Sequence, residues 1–210
     1  MTPLSNSNLR QLLAIIQTEL RLLAGKILVF REVFGPDKVV ALVNNAAPEF
    51  FGICSDALFD DLVLSTTRLI DRPATAGHFN ASIGRLVSLL KDQGFPAFDS
   101  VVDHHKEITR CCKALLSHRN ERIAHLGDEF RSSETGATDD PAELFGPGPL
   151  PGINLSNIEE AFQLACTLVS KVCIHLDGQP FVAEPGRRAR EAGPGLLRLL
   201  SRVGKIPNDR

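Results

Sequence analysis

Tryptophan and tyrosine are both absent from the chain, and methionine occurs once, so leucine and twelve phenylalanines must supply the bulk of any core. A charge excess is lacking too: 23 Lys and Arg against 25 Asp and Glu leave a formal charge of −2. Nothing therefore draws nucleic acid to the surface as a whole, and any RNA binding has to come from a local patch. No apolar run is long enough to span a membrane, and the N-terminus has no signal-peptide pattern. The expectation is a soluble, cytoplasmic protein with no membrane partner. The five cysteines are odd in number and lack framework spacing, which fits reduced thiols in a cytosol. Cys111 and Cys112 are adjacent, and Cys166 and Cys173 share a helix face; buried small hydrophobes explain them better than ligands do. His104 and His105 with Cys111 and Cys112 match no strong zinc spacing, so neither metal nor cofactor is expected. Internal repeats and alternating strand patterns are missing as well.

What the chain does have is apolar residues, 43% of the total, arranged at helical period. Two hundred and ten residues make one domain with a real core the simplest expectation. Ser5 to Ser7 offer caps for a first helix to about Phe34, with Gly35-Pro36 ending it. A shorter helix follows from Asp37 to Ala46. Pro48 suits the first turn of the next, which runs to about Asp71 before Arg72-Pro73. On that helix Asp61 flanks the apolar stripe, either as a solvated residue pairing with Arg68 or as an acid turned to chemistry. Asn80 to Gln93 gives another short helix. A long helix then starts near Phe98 and reaches Leu126. Residues 128–154 turn to Ser, Thr, Asp, Gly and Pro, the composition of a flexible loop. Ser156 and Glu159 have the spacing of a capping box for a helix to about Leu176. Residues 1–177 thus read as an all-α helical domain. Residues 178–210 read as a Pro/Gly/Arg-rich linker with a short terminal helix, 195–203, packed on or near it.

The most informative stretch closes the long central helix. Stepping back from Leu126 by fours and threes gives Arg122, Arg119, Leu115, Cys112, Ile108, His105 and Val101, one core-facing stripe. Arg119 occupies an apolar slot, where a guanidinium needs an acid, an anion or a wet groove. Gly127 suits a position just past the helix end, placing His125 in the last turn, where the dipole favours a protonated imidazole. Lys106, Arg110, Lys113, Arg119 and Arg122 make this helix locally basic, offset by Asp103, Glu107 and Glu121. Such a face is either solvated and paired with neighbouring acids or a track for phosphates.

The wording His118-Arg119-Asn120 … Ile123-Ala124-His125 resembles the Arg-x(4–6)-His signature of the HEPN superfamily (higher eukaryote and prokaryote nucleotide-binding), most closely its abortive-infection branch in bacteria. Ala57-Leu58-Phe59-Asp60-Asp61-Leu62 … Arg68-Leu69-Ile70-Asp71 is similar to the second long helix of that branch. In element order the resemblance spans roughly Ser5 to Asp177. It implies a HEPN-like bundle of two or three long antiparallel helices plus shorter ones. It also implies a metal-independent endoribonuclease of phage defence or of a toxin–antitoxin pair, in which the RNA 2′-hydroxyl attacks its own phosphodiester. Arg119 would clamp phosphate oxygens, His125 would move the proton, and Asn120 would orient either; Asp61, Arg122 and His118 are candidates for support. The partners implied are a second copy of the chain, the RNA, and an antitoxin encoded nearby. Several HEPN toxins with nucleotidyltransferase antitoxins carry a Tyr two residues after the His; Gly127 stands there in a chain without Tyr, so regulation at that Tyr is not expected.

On an ideal helix Arg119 and His125 lie ~120° apart, so one straight helix does not easily aim both at one phosphate. A bend near the helix end, or a two-fold dimer with a shared cleft, would bring them together. The other reading is a non-catalytic HEPN-fold dimer that binds RNA or a nucleotide, or is purely structural. There His125 caps a helix, and Arg119 pairs with Asp61 or another acid to fix register.

Overall fold

The computed structural model describes residues 6–120 and 153–203. Eight helices and one small hairpin lie among them: α1 (Asn6–Phe34), α2 (Asp37–Ala46), α3 (Pro48–Leu69), β1 (Ala74–Thr75), β2 (His78–Phe79), α4 (Ile83–Asp92), α5 (Phe98–Cys111), α6 (Lys113–His118), α7 (Leu155–Asp177) and α8 (Arg187–Val203). Among the described residues the fold is an all-α bundle. The expected loop at 128–154 lies almost wholly outside the described residues.

Side-chain pairs set the helix directions. Arg10 at the start of α1 meets Asp177 at the end of α7 at 2.7 Å, and Arg31 near the end of α1 lies 3.6 Å from Glu159 near the start of α7. Those two helices are antiparallel. Along α1 and α3, Phe30 stacks at 5.9 Å on Phe59 and Lys26 bridges to Asp61 at 2.7 Å, so α3 also runs against α1. Lys171 of α7 donates to Ser100 of α5 at 2.9 Å, tying the central helix to the same bundle. Leu9, Ile16, Leu20, Leu23, Leu62, Ile108, Leu115, Ile158 and Leu168 fill the space between these helices and are fully buried. Each such aliphatic side chain stabilises the fold by ~1.5–3 kcal/mol.

Several boundaries differ from the sequence expectation: α3 ends at Leu69 rather than about Asp71, α4 starts at Ile83, capped by Ser82, rather than at Asn80, and three larger differences follow. The central helix is not continuous: Cys112, at φ −79° and ψ −1°, interrupts it between α5 and α6. The stripe survives the break, since Val101, Ile108, Cys112 and Leu115 are all buried. The cap of α7 is Asn154, not Ser156. Asn157 N donates to Asn154 Oδ1 at 3.3 Å while Asn154 N donates to Asn157 Oδ1 at 2.9 Å. Asn caps as well as Ser, and a start at Leu155 lets Ile153 bury. Finally, α8 begins at Arg187 and runs through Pro194, where a linker was expected. A proline inside a helix removes one backbone bond and crowds the preceding turn. Here Leu196, Leu197 and Leu200 repay that by packing on a satellite cluster of Val33, Val39, Val43 and Phe51. The approach is close: a Cβ on Gly193 would collide with the Glu32 side chain, and one on Gly25 would sit 3.0 Å from Ala189 Cβ.

Candidate active site at the end of the central helix

Arg119 follows α6 directly, with Asn120, in a turn of π-helical width. Its side chain is 23% exposed, and Nη1 donates to Asp71 Oδ1 at 2.8 Å. Nε donates to Asn120 Oδ1 at 3.3 Å. The sequence places a cation on an inward stripe, and the fold supplies the acid from the turn after α3. Asp71 is in turn uncomfortable without a cation, because a carboxylate just past a helix C-terminus faces the negative end of the dipole. Each charge therefore answers the other. Asp71 also lines an open cleft of about 350 Å3 with Glu19, Ser65, Arg68 and Asn80. Arg119 is thus a guanidinium fixed by one amide and by a carboxylate that itself lines a polar cleft.

One residue earlier, His118 is fully buried. Its Nε2 lies 3.4 Å from Asp60 Oδ1, a long contact that is a hydrogen bond when Nε2 carries the proton. The ring stands edge-on to Phe59 with centroids 6.3 Å apart. Among the described residues its Nδ1 has no hydrogen-bond partner. His118 pins α6 to α3 rather than facing solvent.

Asp61 does not join this group. Its Oδ2 lies 2.7 Å from Lys26 Nζ, which also donates to Ser65 Oγ at 2.7 Å. Neither of the partners considered for it, Arg68 or Arg119, is the one it takes. Arg68 is two turns away, roughly 10 Å along the same helix, whereas Lys26 comes from the facing one. The local basic face is largely compensated. Lys106 pairs with Asp103 at 3.1 Å, and Arg110 holds Glu107 at 2.6 and 3.0 Å, which keeps that carboxyl below its ordinary range. Higher on the stripe, burial lowers the His105 imidazole pKa and pushes the Cys112 thiol up to about 12. Arg122 and His125 lie outside the described residues. Among the described ones, no three His, Cys, Asp or Glu side chains gather as a metal-ligand set. No described helix is long and apolar enough to cross a membrane.

A family model for the HEPN domain of AbiU2 matches residues 6–191, from the first turn of α1 into α8. This chain belongs to the HEPN AbiU2 family. It therefore sits in the abortive-infection branch of the HEPN superfamily, as the wording around Arg119 and Asp61 implied. No curated protein and no solved structure matches this HEPN chain. The family match covers the bundle as a whole and carries no assignment of individual residues.

Of the HEPN candidates, the structure brings Arg119 and Asn120 together, sets His118 behind them in the core, and ties Asp61 elsewhere. It adds two acids that sequence reasoning did not single out, Asp71 on Arg119 and Asp60 on His118. Asp71 was detectable as an acid at the wrong end of a helix. Asp60 had no comparable signal, since adjacent Asp60 and Asp61 differ only in which neighbour they face.

Proposed function

We propose that the chain is a metal-independent endoribonuclease of the abortive-infection type. In this reading Arg119 binds the scissile phosphate, Asn120 holds its guanidinium in plane, and His125 transfers the proton. The RNA 2′-oxygen attacks the adjacent phosphorus and the 5′-oxygen leaves, giving a 2′,3′-cyclic phosphate and a free 5′-hydroxyl. The single observation behind this is the Arg119 guanidinium, preset by Asn120 and by a carboxylate in the position an anionic phosphate oxygen would take. A fixed fork of donors stabilises charge that grows in the transition state without reorganising at that moment. Two copies would share the cleft, and a neutralising antitoxin encoded nearby would restrain the activity. His118 supports the site from the core, and Arg122 adds a cation three residues after Arg119 in the sequence.

One observation favours the second reading, a non-catalytic RNA-binding or structural dimer: Asp71 already satisfies Arg119 within the chain. Labelled RNA incubated with the protein in EDTA separates the two. The parent should cut and leave cyclic-phosphate ends, whereas Arg119→Ala and His125→Ala should not, although both keep helical circular dichroism. Folded variants that cut as fast as the parent would end the assignment. So would parent activity that disappears with the chelator.

A further inference from the structure

We infer that the hairpin after α3 carries a base-stacking subsite, in which Phe79, backed by Arg85, holds an unpaired base of single-stranded RNA whose phosphate lies against Arg119. The phosphate position rests on the ribonuclease reading above; the stacking surface itself does not.

Phe79 is 72% exposed, the most exposed large hydrophobic side chain among the described residues. It is not a core residue that failed to bury, because its backbone is held in place. The turn between β1 and β2 carries Ala76 at φ 49° and Gly77 at φ 81°, the positive values a tight two-residue hairpin requires. Asn80 clamps the hairpin base: its Nδ2 donates to Arg72 O at 2.7 Å and Thr75 Oγ1 at 2.8 Å, and its N donates to Pro73 O at 3.0 Å. One face of the Phe79 ring is covered by Arg85, with Cζ 4.1 Å from the centroid. A ring fixed from behind by a guanidinium and open in front is a stacking platform.

The surroundings select the occupant. Asn80, the next residue, lines the cleft that contains Asp71, and Asp71 holds Arg119. From residue 68 to 85 the chain carries Arg68, Arg72 and Arg85 against Asp71, and Glu19 of α1 lines the same cleft, which leaves three cations to two acids before Arg119 is counted. A chain of net charge −2 therefore has a local cationic excess beside an exposed aromatic. That combination complements a polyanion with free π-faces. Paired bases have their faces covered by neighbours, so the site takes single strands, and a phenyl ring with no hydrogen-bonding group takes any base.

Because the chain has no Trp and no Tyr, Phe79→Trp would introduce one fluorophore at the proposed contact. It is made together with His125→Ala so that the RNA stays intact, and titrated with a single-stranded oligoribonucleotide or its duplex at one fixed salt concentration. Saturable quenching by the single strand and little by the duplex is expected. Phe79→Ala in the same background should weaken single-strand binding about 5- to 150-fold, the range set by stacking on one aromatic, and leave the melting temperature unchanged. Absence of quenching, equal quenching by the duplex, or unchanged affinity in Phe79→Ala would overturn the subsite. A parent that fails to cut RNA in EDTA ends the ribonuclease reading while quenching of Phe79→Trp still decides the subsite; a parent that cuts RNA while the Phe79→Trp, His125→Ala variant shows no quenching ends the subsite alone.

Discussion

The Arg119–Asp71 pair offers the sharpest test of how the fold holds its candidate site, through a double-mutant cycle of Arg119→Ala, Asp71→Ala and the two combined. Their closest atoms are 2.8 Å apart, with side-chain exposures of 23% and 34%. With charge centres about 4 Å apart, the attraction is ~4 kcal/mol at an effective dielectric constant of 20. Desolvation and the ordering of a long side chain offset most of that. Fully exposed pairs retain ~0–1 kcal/mol, whereas breaking a fully buried pair costs ~3–5 kcal/mol because the partner is stranded. At these intermediate exposures the coupling energy should be ~1–2 kcal/mol, which the cycle isolates if neither variant makes new contacts. For a chain of this size that corresponds to a melting shift of roughly 2–8 °C for each single variant. The double variant should lose less than the sum of the two singles. Urea melts at low and high salt supply the assay, and a half-covered pair should keep part of its coupling at high salt. Strictly additive losses would mean that the two side chains do not support each other in solution.

The remaining expectations test the frame around that pair. Leu115 is fully buried one turn before Arg119, so Leu115→Ala should destabilise by ~2–5 kcal/mol in a urea melt; a loss under ~1 kcal/mol would place it outside the core. Asn154→Ala should cost ~0.5–2 kcal/mol by removing the α7 cap, whereas Ser156→Ala should change little; the reverse order would restore the cap expected at Ser156. Burial lowers the His105 pKa from 6.5, so the unfolded chain takes up a proton that the folded chain resists. The resulting stability is full above about pH 6.5 and is lost as pH falls through the lower folded value, so His105→Gln should flatten that part of the stability–pH curve. A slope identical to the parent's would remove His105 as its source.

Much of the fold was legible because long amphipathic helices announce themselves through periodicity. Asn6–Phe34 and Asp37–Ala46 start and stop where proline, glycine and the apolar stripe put them, and Pro48–Leu69 starts at its proline and ends two residues short of the expected Asp71. Features that depend on a neighbouring element were not legible. The linker expected as far as Gly193 is helical from Arg187 onward, because Leu196, Leu197 and Leu200 find an apolar surface on α1, α2 and α3, and glycine lets the backbones close up. Tertiary packing overrode local propensity there. At the site, the inward position of Arg119 and its need for an acid followed from the stripe. The identity of that acid did not, because 48 residues separate Arg119 from Asp71 and no local pattern links them. Asp61 was favoured over its neighbour for the same reason: helical phase gives the face of a carboxylate but not what lies opposite.

The expectation of a dimer had two physical motives, and the structure changes the force of both. One was an inward guanidinium in need of a counter-charge, and Asp71 now supplies it within a single chain. The other was the ~120° between Arg119 and His125, a figure for an unbroken ideal helix. The actual helix is interrupted at Cys112, and it opens at Arg119-Asn120 into a wider turn. Each residue added to a turn rotates everything after it by ~100°, so the ideal angle no longer fixes the direction of residues downstream of Asn120. Such widenings occur often where helices serve function, since they re-aim side chains without breaking the element. Pairing of two chains is therefore not required to neutralise Arg119. What a second copy would contribute is a second Arg119 and His125 along one groove, which makes the concentration dependence of cleavage the informative quantity. Activity per protomer that falls on dilution in step with dissociation would show that the cleft is shared. Activity per protomer that stays constant in a demonstrated monomer would show that the widened turn alone brings the two residues to one phosphate.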